Sequence, residues 1–269
     1  NCCTVHLRNT IGGLLSASAV ATGPPIMAGV HHILRSKFVA PFPASTQWCI
    51  MATGCFWGSE KAFWRMPGVH TTAVVYAGGP RGAKPTYEQV CSGRTGHAEG
   101  VLVVWDPLRV SFADLLFMFY TSHNPTQGDR QGNDRGSQYR SAIYVANADY
   151  AKVAEASAAA YSVALGGKAI TTEIKNYNTT LLEDRDYYLA EEYHQQYLAK
   201  PGARMYCSAA PTGVALPDAS EWMPTGLADA AATAPPKLTP EFWAKHMHKA
   251  GVCNIAAPDT PIADLFSEM

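Results

Sequence analysis

Between residue 46 and about residue 200, short apolar runs alternate with amphipathic stretches, and most are closed by a glycine or a proline. No other feature of the sequence restricts the fold as much. The runs 47–53, 69–76, 98–105, 141–145 and 170–174 have the length and apolar content of buried strands. The stretch 55–66 carries Phe56, Phe63 and Trp64 among Glu60 and Lys61 at helical spacing, and it stops at Pro67-Gly68. Ser111 and Asp114 form a capping box that starts a second helix. Residues 149–165 predict an Ala-rich helix ending at Gly166-Gly167, and 191–198 a last short one. Alternation of this kind predicts an α/β (α+β) domain around a mixed sheet with helices on its faces.

The ends of the chain read differently from its middle. Residues 1–44 predict a tail, closed by Pro41-Phe42-Pro43. It lacks Asp and Glu, the first acid in the chain being Glu60. An acid-poor stretch carrying Arg8, Arg35 and Lys37 is the composition of an organellar targeting segment as well as of a plain tail, so mitochondrion, plastid and cytoplasm all stay open. Residues 45–215 make the expected domain. Residues 216–269 form a Pro-rich extension expected to wrap it, with one short helix where Thr239 caps Pro240. Inside the domain, residues 125–138 are a long polar loop with no periodicity, and such loops are more often functional than decorative.

A formal net charge of −1 gives no reason to expect nucleic acid or an anionic membrane as partner. Seven cysteines without a CxxC pair argue against a secreted disulfide scaffold and against a zinc ribbon. His246 and His248 near Cys253 lack a fourth metal ligand.

The chemistry is concentrated in three places. Gly54-Cys55-Phe56-Trp57-Gly58 lies where a strand ends and a helix begins. A thiol there feels the positive end of the helix dipole, which favours thiolate. The competing reading is a buried structural cysteine between core aromatics. Second, His97 and Glu99 flank the start of a strand and point to one side. A carboxyl beside a thiolate in an apolar pocket would hold its proton and could deliver it, although an isolated Glu at a strand end is commonly solvated. Third, residues 131–141 read either as a site loop or as a surface loop held by its own Asn, Asp and Ser side chains.

Taken in series, these segments resemble the peptide-methionine sulfoxide reductase A family. The motifs are Gly-Cys-Phe-Trp-Gly at 54–58, Pro-Thr-Tyr at 85–87, Val-Cys-Ser-Gly at 90–93 and Thr-Gly-His-Ala-Glu at 95–99. They continue as Gln-Gly-Asn-Asp at 131–134, Gln-Tyr-Arg-Ser-Ala-Ile-Tyr at 138–144, Tyr-His-Gln-Gln-Tyr-Leu at 193–198 and Tyr206-Cys207. The resemblance implies a ferredoxin-like fold and reduction of the S epimer of methionine sulfoxide, free or in oxidised proteins. By similarity Cys55 attacks the sulfoxide sulfur, Glu99 protonates its oxygen, and Tyr87 and Tyr139 hydrogen-bond that oxygen. Phe56 and Trp57 hold the methyl group, and Asp134 orders the surrounding network. Cys207 resolves the Cys55 sulfenic acid, and thioredoxin reduces the disulfide. No metal or organic cofactor is implied.

Two departures from the family pattern bear on recycling. A second recycling cysteine is missing from Gly213-Val214-Ala215-Leu216-Pro217, and Ser208-Ala209-Ala210-Pro211 replaces flexible glycines after Cys207. A two-thiol cycle is therefore expected, with Cys253 as the alternative second recycling thiol. Cys2, Cys3, Cys49 and Cys91 read as bystanders, and His194 as a packing or hydrogen-bonding residue. His123-Asn124-Pro125 stands where the family has His-Asp-Pro. Two rival readings are a hydrolase using Cys55 with His97 as base, and a module that binds oxidised methionine without turnover.

Overall fold

The structure, a computed structural model, describes residues 29–82, 84–177, 186–246 and 257–262. Its centre is a six-stranded mixed sheet. The strands are β1 (Gln47–Thr53), β2 (Val69–Ala77), β3 (Ala98–Trp105), β6 (Ser141–Val145), β7 (Glu173–Asn176) and β8 (Tyr187–Leu189), in the order β7-β6-β1-β3-β2-β8. All neighbours pair antiparallel except β6 and β7. A two-residue hairpin, β4 (Arg130–Gln131) with β5 (Asp134–Arg135), stands apart within the polar loop.

The strands are apolar at consecutive positions because both faces of the sheet are covered. Cys49, Met51, Val74, Tyr76, Val101, Val103, Ile143 and Val145 face one core, while Ile50, Ala73, Val75, Leu102, Val104, Ala142 and Tyr144 face the other. At about 1.5–3 kcal/mol for each large side chain removed from water, these two layers dominate the drive to fold. The helices of the domain supply the first core only. The longest of these are α1 (Phe56–Trp64), α3 (Phe112–Ser122) and α4 (Ala148–Ala164). The helix-covered side is thus one face, and the opposite face is closed by Phe38, Val39, Phe42, Trp48, Tyr177 and Tyr187.

Residues 29–44, assigned from sequence to the tail, lie on this body. His31 and Phe38 are buried, and His31 Nε2 is 2.9 Å from Thr72 Oγ1. Residues 1–28 of the expected tail lie outside the described residues. The Pro-rich extension crosses the helical side. Asp114 caps α3 by accepting from Ser111 N and Oγ, and it also accepts from the backbone N–H groups of Lys237 and Leu238. One carboxylate therefore starts a helix and fastens the extension. Further on, the short helix α5 (Pro240–His246) buries Phe242 and Trp243, and Asp259 bonds Lys61 Nζ at 2.7 Å.

The helix expected over 191–198 is absent. Those residues form turns and a 3-10 segment, Tyr197–Ala199, after Gln196 in the left-handed region at φ 46. Gln195 explains the departure: its side chain accepts from Val74 N and donates to Val74 O, both at 2.9 Å, replacing a strand neighbour at that point of β2. Side-chain bonds to the sheet thus fix this segment where helix bonds would have. No described helix is long and apolar enough to cross a membrane.

Candidate active site

β1 delivers Cys55 to the N-cap of α1, where its backbone is still extended (φ −54, ψ 122). The preceding Gly54 has φ +105, and a Cβ there would stand 2.8 Å from Gln131 Cβ. Glycine is needed for the conformation and for the close approach of the polar loop. Cys55 is buried and outside any disulfide. Its place at the end of the helix points the helix's positive pole at the sulfur.

Glu99 lies on β3 directly opposite Tyr76 of β2. Strand alternation turns it to the face that carries α1, and there it is wholly buried. Its Oε2 accepts from Phe56 N at 3.1 Å, while Oε1 has no hydrogen-bond partner among the described residues. Burial pushes this carboxyl well above the usual carboxylate range, against a pull down from the Phe56 N–H, and the nearby Asp134 charge adds a smaller push upward. The result is a carboxyl that favours its protonated form, bonded to the backbone of the residue that follows the thiol.

Asp134, in the hairpin, accepts from Tyr206 Oη at 2.9 Å and from Ser208 Oγ at 2.5 Å. Ser208 Oγ also reaches Gln131 O at 2.9 Å, and Ala210 N donates to Gln131 Oε1 at 3.2 Å. These bonds hold the segment around Cys207 against the loop that packs on Gly54. The phenol of Tyr206 is close enough to Cys55 and Asp134 for both to raise its pKa, after burial itself.

Phe56, Trp57, Tyr87 and Tyr193 surround His194. Trp57 Nε1 donates to His194 Nδ1 at 3.0 Å, and the ring of Tyr87 lies 4.3 Å from the imidazole. Trp57 also stacks on Tyr197 at 4.0 Å. Tyr87 opens α2 (Tyr87–Cys91), where Thr86 and Gln89 form a capping box and Tyr87 N donates to Glu191 Oε1. Tyr139 ends the 3-10 turn Ser137–Tyr139 and is buried in the same core as Cys55, Phe56, Trp57 and Tyr87. His97 lies apart from this arrangement, its ring over Gly79 and edge-on to Tyr188 at 5.6 Å. Glu99, not His97, is the titratable group bonded to the helix turn that carries Cys55.

Cys91 is the main correction to the sequence reading. It is disulfide-bonded, as is Cys207, where the sequence marked only Cys207 for disulfide chemistry. Cys253, the alternative recycling thiol, and His248 lie outside the described residues. Tyr206 and Glu191 also went unassigned; adjacency to the cysteine was the only available signal for the first, and nothing marked the second. Among the described residues no three of His, Cys, Asp and Glu are placed to hold a metal ion.

An α+β sheet that brings one buried thiol and one buried neutral acid to the same point is the frame of a thiol-dependent enzyme. The sequence model of the peptide methionine sulfoxide reductase family matches residues 47–217. The peptide methionine sulfoxide reductase MsrA of Azorhizobium caulinodans is 52% identical over 194 residues, covering 71% of this chain and 84% of that protein. Among solved structures, methionine sulfoxide reductase A of Corynebacterium diphtheriae aligns with a TM-score of 0.57 at 40% identity, covering 70% of this chain and 90% of that one. Reduced Mxr1 from Saccharomyces cerevisiae gives 0.55 at 31% identity, over 65% and 96%. The chain belongs to the peptide methionine sulfoxide reductase family.

Proposed function

We propose that this chain reduces the S epimer of methionine sulfoxide, free or within oxidised proteins, with Cys55 as nucleophile and thioredoxin as the final reductant. The observation that carries the reading is the buried Glu99, bonded through Oε2 to Phe56 N and with Oε1 open. A sulfoxide oxygen leaves only once it has been protonated. A neutral acid in a site of low dielectric is the group that supplies that proton.

In this reading the Cys55 sulfur attacks the substrate sulfur while Glu99 protonates the oxygen, with Tyr87 and Tyr139 donating hydrogen bonds to it. Phe56 and Trp57 hold the methyl group. Asp134 fixes the phenol of Tyr206 and the Ser208 hydroxyl beside them. Methionine departs and Cys55 is left as a sulfenic acid, the first rung of thiol oxidation. Cys207 condenses with it, releasing water and forming a disulfide that an external dithiol reduces by exchange. Thiols supply both electrons, so the chemistry calls for no metal or organic cofactor.

The test is turnover of separated R and S epimers of a methionine sulfoxide peptide, with dithiothreitol and with thioredoxin in turn. Methionine from the S epimer alone, lost in Cys55→Ser, is expected. Release of no methionine from either epimer, or equal use of both, would overturn the proposal.

A further inference from the structure

Four cysteines lie among the described residues. Cys49 and Cys55 are thiols, whereas Cys91 and Cys207 are disulfide-bonded. The segments that carry the two bonded cysteines both contact one loop, residues 131–138. Cys91 closes α2, and its carbonyl accepts from Gln138 Nε2 at 3.4 Å; nearby, Ser137 Oγ donates to Gly93 O. Cys207 stands between Tyr206 and Ser208, which both end on Asp134, four residues before Gln138. Loop 131–138 thus holds both cysteines on the same side of the domain.

Exposure separates them from Cys55. Cys55 is 8% exposed, under the aromatic cluster. Cys91 and Cys207 are half-buried, flanked by the exposed Ser92, Gly93 and Arg94 on one side and the exposed Arg204 and Met205 on the other. A macromolecular dithiol has access to the second pair and far less to the first, and access governs thiol–disulfide exchange.

We infer that Cys91 and Cys207 are bonded to each other, and that Cys91 is the second recycling thiol, which draws the disulfide out of the active site to the surface. This rests on the sulfoxide reductase reading above and supplies the thiol missing from Gly213–Pro217. The steps balance. Methionine sulfoxide and the Cys55 thiol give methionine and the Cys55 sulfenic acid. The Cys207 thiol then forms the Cys55–Cys207 bond with loss of water. The Cys91 thiolate attacks the sulfur of Cys207, the Cys91–Cys207 bond forms, the Cys55–Cys207 bond breaks, and Cys55 leaves as thiolate. That exchange moves the oxidation without changing its amount. Thioredoxin's dithiol then supplies two electrons and two protons to Cys91–Cys207. The structure corresponds to the state before that last step, with Cys55 already restored.

The experiment uses the full chain, fully reduced, given one equivalent of an S-sulfoxide peptide, quenched with an alkylating agent and mapped by peptide mass spectrometry, with methionine release measured alongside. A Cys91–Cys207 peptide with Cys55 alkylated is expected, appearing only after sulfoxide is added and lost on adding reduced thioredoxin. In Cys91→Ser, the Cys55–Cys207 bridge should accumulate instead, and the ratio of thioredoxin-supported to dithiothreitol-supported turnover should fall about tenfold. Methionine release with a Cys55–Cys207 or Cys207–Cys253 bridge in the wild type would overturn this inference and leave the reductase reading standing. So would a Cys91–Cys207 bridge that forms without sulfoxide or resists thioredoxin, since that is a structural staple. No methionine release would overturn both.

Discussion

The backbone N–H of Phe56 donates to Oε2 of Glu99 at 3.1 Å, which ties the acid to the helix turn that presents Cys55. Among the described residues nothing comparable engages Oε1. Glu99→Gln keeps the shape and an acceptor for Phe56 but cannot give up a proton. Loss of a general acid costs about 10²–10⁴-fold in rate, so kcat with dithiothreitol should fall by at least the lower of these while far-UV circular dichroism stays unchanged. The pH profile separates this from a packing effect. Glu99 titrates above the ordinary carboxylate range, so the acid form is present below that raised pKa and lost as pH rises through it. The wild type should lose activity along that limb, and the variant should have no such limb.

Glu60 is a second buried acid, and its effect is on stability. It accepts from Gln196 N, Gln196 Nε2 and Thr72 Oγ1. Burial nevertheless outweighs these bonds and pushes its carboxyl up to about 7. The unfolded chain holds this proton only to about pH 4.3. Between those values the folded state binds more protons, so the contribution is full below the unfolded pKa and is lost as pH rises through about 7. Urea unfolding at a series of pH values should show wild-type stability, measured relative to Glu60→Gln, falling by about 3–4 kcal/mol across that window. A difference that stays flat with pH would refute the account.

How much of this could be seen beforehand depended on whether the cause was local. Strands β1, β3 and β6 lie where the apolar runs placed them, because burial on two faces demands unbroken apolar sequence. The strand expected at 170–174 instead pairs at Glu173–Asn176, its position set by its parallel partner β6. β8 was invisible because a three-residue strand carries no periodicity, and the helix expected over 191–198 failed because Gln195 and Gln196 spend their amides on β2 and on Glu60. At the site, strand parity put Glu99 on the side of Cys55, but only burial makes it an acid. Cys91 could not be read at all: nothing in the sequence around it marks a disulfide-bonded sulfur.

Gly132 lies where the polar loop meets the Cys207 segment. It has φ +57, and a Cβ there would fall on the carbonyl oxygen of Ser208. Backbone cannot move aside as a flexible side chain does. Gly132→Ala should therefore displace residues 206–210 while leaving the Cys55–Glu99 pair in place. The expected readout is thioredoxin-supported turnover falling about tenfold relative to dithiothreitol-supported turnover, because the small thiol needs no docked Cys207. An unchanged ratio would mean the segment tolerates the shift and that its pinning by Asp134 and Gln131 is incidental.

His194 is the hub of the aromatic wall, and its role follows from one bond. Trp57 Nε1 can only donate, so Nδ1 of His194 must keep its lone pair, and the imidazole is the neutral tautomer with its proton on Nε2. This bond fixes the indole that Phe56 and Tyr87 flank at 5.2 and 4.3 Å from the imidazole. In His194→Ala the indole N–H is buried without its acceptor, at about 1–3 kcal/mol, and the ring is free to turn. A wall that holds a methyl group by contact acts on ground state and transition state alike. KM for the sulfoxide peptide should therefore rise about tenfold (~1.4 kcal/mol) with a smaller change in kcat. His194→Gln, whose side-chain oxygen can accept from the indole, should recover part of the loss. If the loss falls on kcat with KM unchanged, His194 acts on the reacting atoms and the wall is not its purpose.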